Sequence, residues 1–115
     1  MHLIIDGYVQ NPKKIQDTQF IYKFLNTYPD QIKMTKVSTP HVSEYDLQEQ
    51  GISGFVLLAE SHISVHVFPE KSYVSIDIFS CREFDTHQAA KRLEQQFGLS
   101  GMKIRTFSRP HPDIE

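Results

Sequence analysis

The residues best suited to chemistry lie between 51 and 81, in the segment GISGFVLLAESHISVHVFPEKSYVSIDIFSC. His62, Ser64 and His66 alternate with aliphatic residues, which predicts that they share one face of a strand, and Cys81 follows the next apolar run. Such a set can form a hydrogen-bonded polar patch, a metal site or a nucleophile beside its base. Two metal ligands four residues apart on a strand lie about 13 Å from each other, too far to share one ion. We therefore expect no metal site, while the patch and the nucleophile pair both remain open.

Two alternating runs, at 62–68 and 73–80, predict a β-hairpin that positions these side chains. Its register follows from placing apolar residues opposite one another, because a slip of one residue would turn every side chain to the other face. The predicted pairs are Ile63 with Ile78, Val65 with Ile76, and Val67 with Val74. Extended further, this register places Ser80 opposite Ser61 and Cys81 beside the Glu60–Ser61 bond.

The rest of the chain predicts two helices and further strands around this hairpin. Apolar residues at helical spacing predict helices over 17–28 and 84–97, ended by Pro29 and Gly98. The other predicted strands cover 2–9, 32–39, 52–60 and 102–108, and the polar residues 40–50 predict a loop. This order predicts an α+β domain with an antiparallel sheet and both helices on one face. The other face needs a cover or must be polar, and the tail from Arg109 is expected to be mobile.

Composition narrows the class of protein. A chain of 115 residues with 39% hydrophobic and 23% charged residues is typical of one globular domain. The net charge of −2 argues against a nucleic-acid or anionic membrane surface as partner. A single cysteine, Cys81, cannot form an internal disulfide, and no apolar stretch reaches the roughly 18 residues of a membrane span. With no secretory pattern at the N-terminus, we expect a cytoplasmic protein.

Three motifs together resemble the core of a known family. GISG, LLAESHISVHVFPE and YVSIDIFSC are similar to the prokaryotic S-adenosylmethionine decarboxylase proenzymes, over about residues 51–81. The combination of Ala-Glu-Ser-His, a His four residues on, Pro-Glu, and a Cys fifteen residues beyond that second His is specific. The opening HLI and the order of elements are also similar. The resemblance implies a pyruvoyl-dependent carboxy-lyase that acts on S-adenosylmethionine and supplies the aminopropyl donor for spermidine synthesis.

The resemblance implies that the enzyme is made by self-cleavage of the Glu60–Ser61 bond. The products would be a β chain of residues 1–60 and an α chain of residues 61–115. Ser61 would become a pyruvoyl group, the covalent cofactor, whose ketone forms a Schiff base with the substrate amine and accepts electrons as carbon dioxide leaves.

The resemblance also implies roles for other residues. His66, as a base, and Ser53 would support the self-processing. Cys81 would donate a proton to the substrate carbanion after decarboxylation. Glu70 would bind the substrate, in the manner of a family residue that holds the ribose hydroxyls.

The sequence departs from the family pattern mainly around the substrate. Leu47 stands where the family usually has an aromatic residue that stacks on adenine, Phe68 replaces a Trp, and Arg82 replaces a Gly. The acidic residue near the N-terminus would be Asp6. An alternative substrate is therefore arginine or ornithine, with Asp6 or Asp77 binding the distal cation and Arg82 the carboxylate. A further alternative is an uncleaved paralogue without catalytic activity.

Strand geometry predicts that each site is shared between two copies of the chain. Ser61 and His66 are five residues apart on one strand. Their Cα atoms are therefore about 16 Å apart, and their side chains point to opposite faces of the sheet. A two-fold homodimer avoids this problem, because antiparallel strands of two copies face each other in reversed direction. We expect Ser61 and Cys81 from one chain to meet Ser53, His66 and Glu70 of the other, in a four-layer αββα sandwich. The small-molecule substrate is the other partner that we expect.

Overall fold

Six strands form one antiparallel sheet in the computed structural model, which describes residues 1–109. The strands are β1 (His2–Val9), β2 (His41–Asp46), β3 (Gln50–Leu58), β4 (Ser61–Phe68), β5 (Tyr73–Ser80) and β6 (Leu99–Phe107), in the order β2-β3-β4-β5-β1-β6. The helices α1 (Thr18–Gln31) and α2 (Thr86–Phe97) pack on one face of the sheet. The predicted fold class is confirmed. Residues 110–115 of the predicted mobile tail lie outside the described residues.

Period-two alternation decides which strand face meets the helices. The apolar residues of β4 and β5 are fully or almost fully buried against α1 and α2: Ile63, Val65, Val67, Val74, Ile76 and Ile78. They pair across the two strands in the predicted register, with Val65 opposite Ile76. Burying these side chains is the main favourable term in folding, at roughly 25 cal/mol per Å² of apolar surface, and it fixes the register beside the site.

Side-chain caps and a shared hydrogen bond fix the two helices. Asp17 accepts a hydrogen bond from the backbone N–H of Gln19, and Asp85 accepts one from that of Gln88, so each helix has an N-cap. Gly98 ends α2 in the left-handed region, with φ 66°, as predicted. The Tyr28 hydroxyl of α1 donates to the Ala89 carbonyl of α2 over 2.7 Å. Burial raises the pKa of this phenol far above its ordinary value, which disfavours its ionised form.

Two sequence predictions between α1 and β3 are wrong. Residues 32–39 do not form a strand: Lys33 is in the left-handed region, and Lys36 makes one isolated bridge to Leu58. Ile32 and Met34 alternate because they pack against the core from an irregular segment. Residues 40–50 are not a loop, since they contain β2. This strand lies at the sheet edge with mostly exposed residues, so it carries no apolar alternation.

The prediction that Pro29 ends α1 is also wrong, because the helix continues to Gln31. A proline disfavours helical geometry in the residue before it, here Tyr28. Tyr28 is nevertheless fully buried, and its hydrogen bond to Ala89 anchors it. The Pro29 carbonyl then accepts the N–H of Met34 over 2.9 Å, which closes the helix end.

The sheet face opposite the helices, here called the open face, mixes apolar and polar side chains. Phe55, Leu57, Phe107 and Tyr8 are between 45% and 53% exposed on it. Neither helix within residues 1–109 is long and apolar enough to cross a membrane.

Candidate active site

The turn between β3 and β4 contains an unusual backbone conformation. Glu60 has φ 59°, in the left-handed region that favours glycine. For a residue with a side chain this conformation costs roughly 1–2 kcal/mol. The Glu60 carboxylate also pairs with the Arg82 guanidinium over 3.1 Å, which holds the turn against the chain after β5.

The carbonyl group of Glu60 is hydrogen bonded to the cysteine's backbone. The N–H of Cys81 donates to the Glu60 carbonyl oxygen over 3.0 Å, so Cys81 lies beside the Glu60–Ser61 bond. The neighbouring pair in the same ladder is Ser61 with Ser80, also as predicted. The hydrogen bond withdraws electrons from the Glu60 carbonyl carbon and favours attack on it.

The Ser61 hydroxyl lies between two hydrogen-bond partners. Its Oγ is 3.2 Å from the Ala59 carbonyl oxygen and 3.1 Å from the Oγ of the buried Ser80. The predicted register already placed Ser80 opposite Ser61, but no role was predicted for it. A cleft of about 760 Å³ borders Ser61 between residues 31–35 and the start of α2. This cleft lies on the helix side of the sheet, opposite the face that carries His66.

A second group of polar residues lies on the open face. The Oγ of Ser53 on β3 is 2.7 Å from the Nδ1 of His66 on β4, directly across the ladder. The hydroxyl of Tyr45 on β2 is 3.2 Å from the same Ser53 oxygen. Tyr45 was not predicted as a site residue, because residues 40–50 were expected to form a loop. The only signal available was Gly51, whose missing side chain leaves room for the Tyr45 ring.

Two predicted substrate residues lie near this second group. Glu70 is exposed in the short helical turn Pro69–Lys71, which follows β4. Leu47 is 84% exposed in the turn between β2 and β3. The two turns are neighbours, because Lys71 forms an ion pair with Glu49 over 3.0 Å.

The candidate residues therefore form two groups at opposite ends of β4. The cleavage end consists of Glu60, Ser61 and Cys81, and the histidine end consists of Ser53, His66 and Glu70, with Leu47 in the adjoining turn. Five residues of strand, about 16 Å, separate Ser61 from His66. The Ser61 side chain lies on the same face of the sheet as the buried residues of β4, whereas the His66 side chain lies on the opposite, exposed face. Within one chain the two groups do not meet.

The acidic residues considered for a basic substrate are already paired within the chain. Asp6 accepts a hydrogen bond of 2.7 Å from Ser75 and lies 3.7 Å from Arg105. Asp77 lies 3.4 Å from the Nε2 of His2. Among residues 1–109, no three His, Cys, Asp or Glu side chains converge in a way that would hold a metal ion.

His62 lies on the open face near the cleavage end and stacks on Phe79, with ring centroids 5.4 Å apart. Partial burial is the main cause that lowers its pKa. The nearby His2 and Arg109 lower it further, while Asp77 opposes the change.

Comparisons with known proteins identify the family to which this chain belongs. The sequence pattern of the S-adenosylmethionine decarboxylase family matches residues 1–110. The S-adenosylmethionine decarboxylase proenzymes of Prochlorococcus marinus and of a Geobacillus species are 30% and 32% identical to this chain. These similarities cover 96% and 99% of this chain and 87% and 90% of the relatives.

A solved structure is similar over almost the whole chain. The crystal structure of the adenosylmethionine decarboxylase from Aquifex aeolicus matches with a TM-score of 0.79 at 26% identity, covering 99% of this chain and 92% of that one. The chain belongs to the S-adenosylmethionine decarboxylase family.

Proposed function

We propose that this chain is a self-processing, pyruvoyl-dependent decarboxylase of S-adenosylmethionine. Its family membership and the proenzyme names of its relatives support this function. The observation that carries the proposal is the Glu60–Ser61 bond. Its carbonyl oxygen accepts the Cys81 N–H, its first residue has a strained φ, and its second residue supplies a hydroxyl.

Self-processing begins at Ser61. Its Oγ attacks the Glu60 carbonyl carbon through a five-membered ring, and the peptide bond is exchanged for an ester with a free Ser61 amine. A base removes the Ser61 α-proton, the Cβ–O bond breaks, and Glu60 leaves as a carboxylate. The remaining dehydroalanine tautomerises to an imine, and one water replaces its nitrogen, which leaves as ammonia. The products are residues 1–60 and a pyruvoyl-terminated chain.

The neighbours of Glu60 favour the first step. Negative charge develops on the Glu60 carbonyl oxygen during the attack, and the Cys81 N–H already donates to that atom. Cleavage also releases Glu60 from its left-handed conformation, so strain present in the uncleaved chain is absent from the product. Ser80 gives the Ser61 hydroxyl a polar partner at a buried position.

The base in this scheme is His66 of a second copy of the chain. One chain does not bring His66 to its own Ser61, because the two lie about 16 Å apart and their side chains point to opposite faces of the sheet. A two-fold axis through the open face would bring the histidine end of one copy over the cleavage end of the other, so that His66 approaches the Ser61 backbone from the face opposite the hydroxyl. The half-exposed Phe55, Leu57 and Phe107 give that face apolar surface to bury. The dimer would be a four-layer αββα sandwich.

The residues at the cleavage end fit a pyruvoyl group made from Ser61. The Ser61 hydroxyl faces the polar Ser80, and the Cys81 backbone is hydrogen bonded to the neighbouring residue, Glu60. The group supplies an electron sink for decarboxylation. The Cys81 thiol, which is half-buried, donates the proton that replaces the lost carboxylate. Glu70 of the partner binds the ribose hydroxyls, and Leu47 contributes an apolar contact in place of an aromatic ring.

No observation favours arginine or ornithine as the substrate. Of the groups that would bind them, Asp6 and Arg82 each have a partner within the chain, and Asp77 lies 3.4 Å from the Nε2 of His2. A basic amino acid would have to displace these partners.

The test is the release of carbon dioxide from carboxyl-labelled S-adenosylmethionine, arginine and ornithine. We expect release from S-adenosylmethionine by the parent chain and by the control Ser64→Ala, and none by Ser61→Ala. Release from arginine or ornithine in preference would overturn the substrate assignment. A cleaved parent chain that decarboxylates none of the three would overturn the proposed activity.

A further inference from the structure

We propose that Tyr45 is a positioning residue for His66 and acts through Ser53. The inference rests on the proposed function for its effect on processing. The contacts that carry it also stand without that function, because they lie in one chain and require no ligand.

Three side chains on neighbouring strands form a continuous hydrogen-bonded chain across the open face. The Tyr45 hydroxyl on β2 is 3.2 Å from the Ser53 Oγ on β3, and that oxygen is 2.7 Å from the His66 Nδ1 on β4. Ser53 and His66 are directly opposite in the ladder, whereas Tyr45 is opposite Gly51. Tyr45 must therefore reach diagonally along β3 to contact Ser53.

Gly51 makes that reach possible. A Cβ on this residue would lie 2.5 Å from both the Cζ and the hydroxyl oxygen of Tyr45, a distance that real Cβ atoms essentially never show. The Tyr45 ring thus lies directly over the Gly51 backbone, as aromatic residues do when they cover a glycine on a neighbouring strand. Gly51 is buried beneath it. The ring is held in place by packing, so its hydroxyl is presented to Ser53 in a defined position.

The chemistry of the three groups sets the direction of the hydrogen bonds. To act as a base toward the other chain, the neutral His66 ring must keep a free lone pair on Nε2, so its hydrogen is on Nδ1 and is donated to the Ser53 Oγ. Ser53 then donates its own hydrogen to the Tyr45 hydroxyl oxygen. This arrangement fixes both the tautomer and the ring orientation of an otherwise exposed histidine. Without the Tyr45 oxygen as acceptor, Ser53 would be free to donate its hydrogen to Nδ1 instead, which would place the ring hydrogen on Nε2.

The first test measures the tautomer of His66 directly. Long-range ¹H–¹⁵N spectra of the full chain carrying Ser61→Ala, which keeps it uncleaved, distinguish hydrogen on Nδ1 from hydrogen on Nε2. We expect the Nδ1–H form to dominate, and adding Tyr45→Phe to produce a mixture of the two tautomers. Tyr45→Phe keeps the ring over Gly51 and removes only the hydroxyl, so the fold is preserved. An unchanged tautomer would overturn the inference.

The second test measures the rate of self-processing. Losing one hydrogen bond that positions the base is expected to slow cleavage about tenfold in Tyr45→Phe. Tyr22→Phe, which removes a more exposed tyrosine hydroxyl on α1, is the control and should process at the parent rate. Equal rates for Tyr45→Phe and the parent would overturn the role in processing. If the parent itself never cleaves, the proposed function fails, and the tautomer measurement alone decides whether Tyr45 positions His66.

Discussion

Glu60 combines a strained backbone with a carbonyl group that is already hydrogen bonded, and both features act on one peptide bond. Neither feature requires a ligand or a second chain. At the scale of single residues, the proposed chemistry therefore depends on how β3 and β4 are joined. The sequence motif Ala-Glu-Ser-His marks the position of this bond, but it carries no information about φ, which depends on the two strands meeting in a tight turn.

The strain at Glu60 predicts a stability difference between two substitutions. In the uncleaved Ser61→Ala chain, Glu60→Gly should be more stable than Glu60→Ala by about 1 kcal/mol, because glycine adopts a positive φ without steric cost. Both changes remove the ion pair with Arg82, so the comparison isolates the backbone effect. Urea unfolding of the two proteins measures the difference. A Glu60→Ala protein as stable as Glu60→Gly would show that the turn is unstrained.

His62 predicts how stability depends on pH. Partial burial and the nearby His2 and Arg109 lower its pKa, against the opposing effect of Asp77. Above pH 6.5, the ordinary value, the ring is neutral in both the folded and unfolded chain and contributes nothing. As the pH falls through that value, the unfolded chain takes up the proton first, so the folded state loses stability.

Comparing urea midpoints at about pH 7.5 and about pH 5.5 measures this loss. We expect His62→Gln to reduce it, whereas His87→Gln, at an exposed position on α2, serves as the matched control. A His62→Gln protein with the full pH dependence of the parent would contradict the prediction.

At the scale of elements, the sequence predicts those parts of the fold in which burial follows a simple period. β4 and β5 alternate strictly because one face meets the helices, and their register could be predicted down to Val65 opposite Ile76. That register also predicted the position of Cys81 beside Glu60. β2 could not be predicted, because an exposed edge strand with polar residues on both faces leaves no periodic signal. Tyr45 was missed for the same reason.

The roles of the site residues came from the resemblance to a family, whereas their geometry came from the structure. The 2.7 Å contact between Ser53 and His66 requires β3 and β4 to pair in one particular register, and residues 51–58 gave no apolar alternation that fixes it. The separation of Ser61 from His66 was predictable from strand length alone, since both lie on β4.

The packing of α1 on β3 predicts the effect of adding one methyl group at Gly54. A Cβ there would lie 2.8 Å from the Leu25 side chain and 3.0 Å from the His41 carbonyl oxygen. Gly54→Ala should therefore destabilise the fold by about 1–3 kcal/mol through overpacking. Thermal or urea unfolding measures this, with Ser100→Ala at an exposed position as control. If both variants unfold like the parent, α1 does not pack on β3 as closely as described.

At the scale of the whole molecule, the proposed active site requires two copies of the chain. The two ends of β4 carry different parts of the proposed site. A two-fold axis would bring the cleavage end of each copy to the histidine end of the other. Each dimer would then have two equivalent sites, and every site would use residues from both chains.

Mixing two inactive variants tests this sharing. Ser61→Ala and His66→Ala proteins are unfolded together and refolded, so that mixed dimers form. In a mixed dimer the His66→Ala chain keeps its own Ser61 and receives His66 from its partner, so we expect that chain to be cleaved. Each variant refolded alone should remain intact. No cleavage in the mixture, with mixed dimers demonstrated, would mean that the sites are not shared.

The most direct measurement of the central claim is the intact mass of freshly purified parent chain. We expect the 13.4 kDa chain to be replaced by two fragments, one that ends at Glu60 and one that begins at residue 61. Their combined mass should correspond to the gain of one water and the loss of one ammonia, and the second fragment should react with a hydrazine at its terminal ketone. A folded chain that keeps its full mass, with Ser61 unchanged and no reactive ketone, would show that the Glu60–Ser61 bond does not cleave itself.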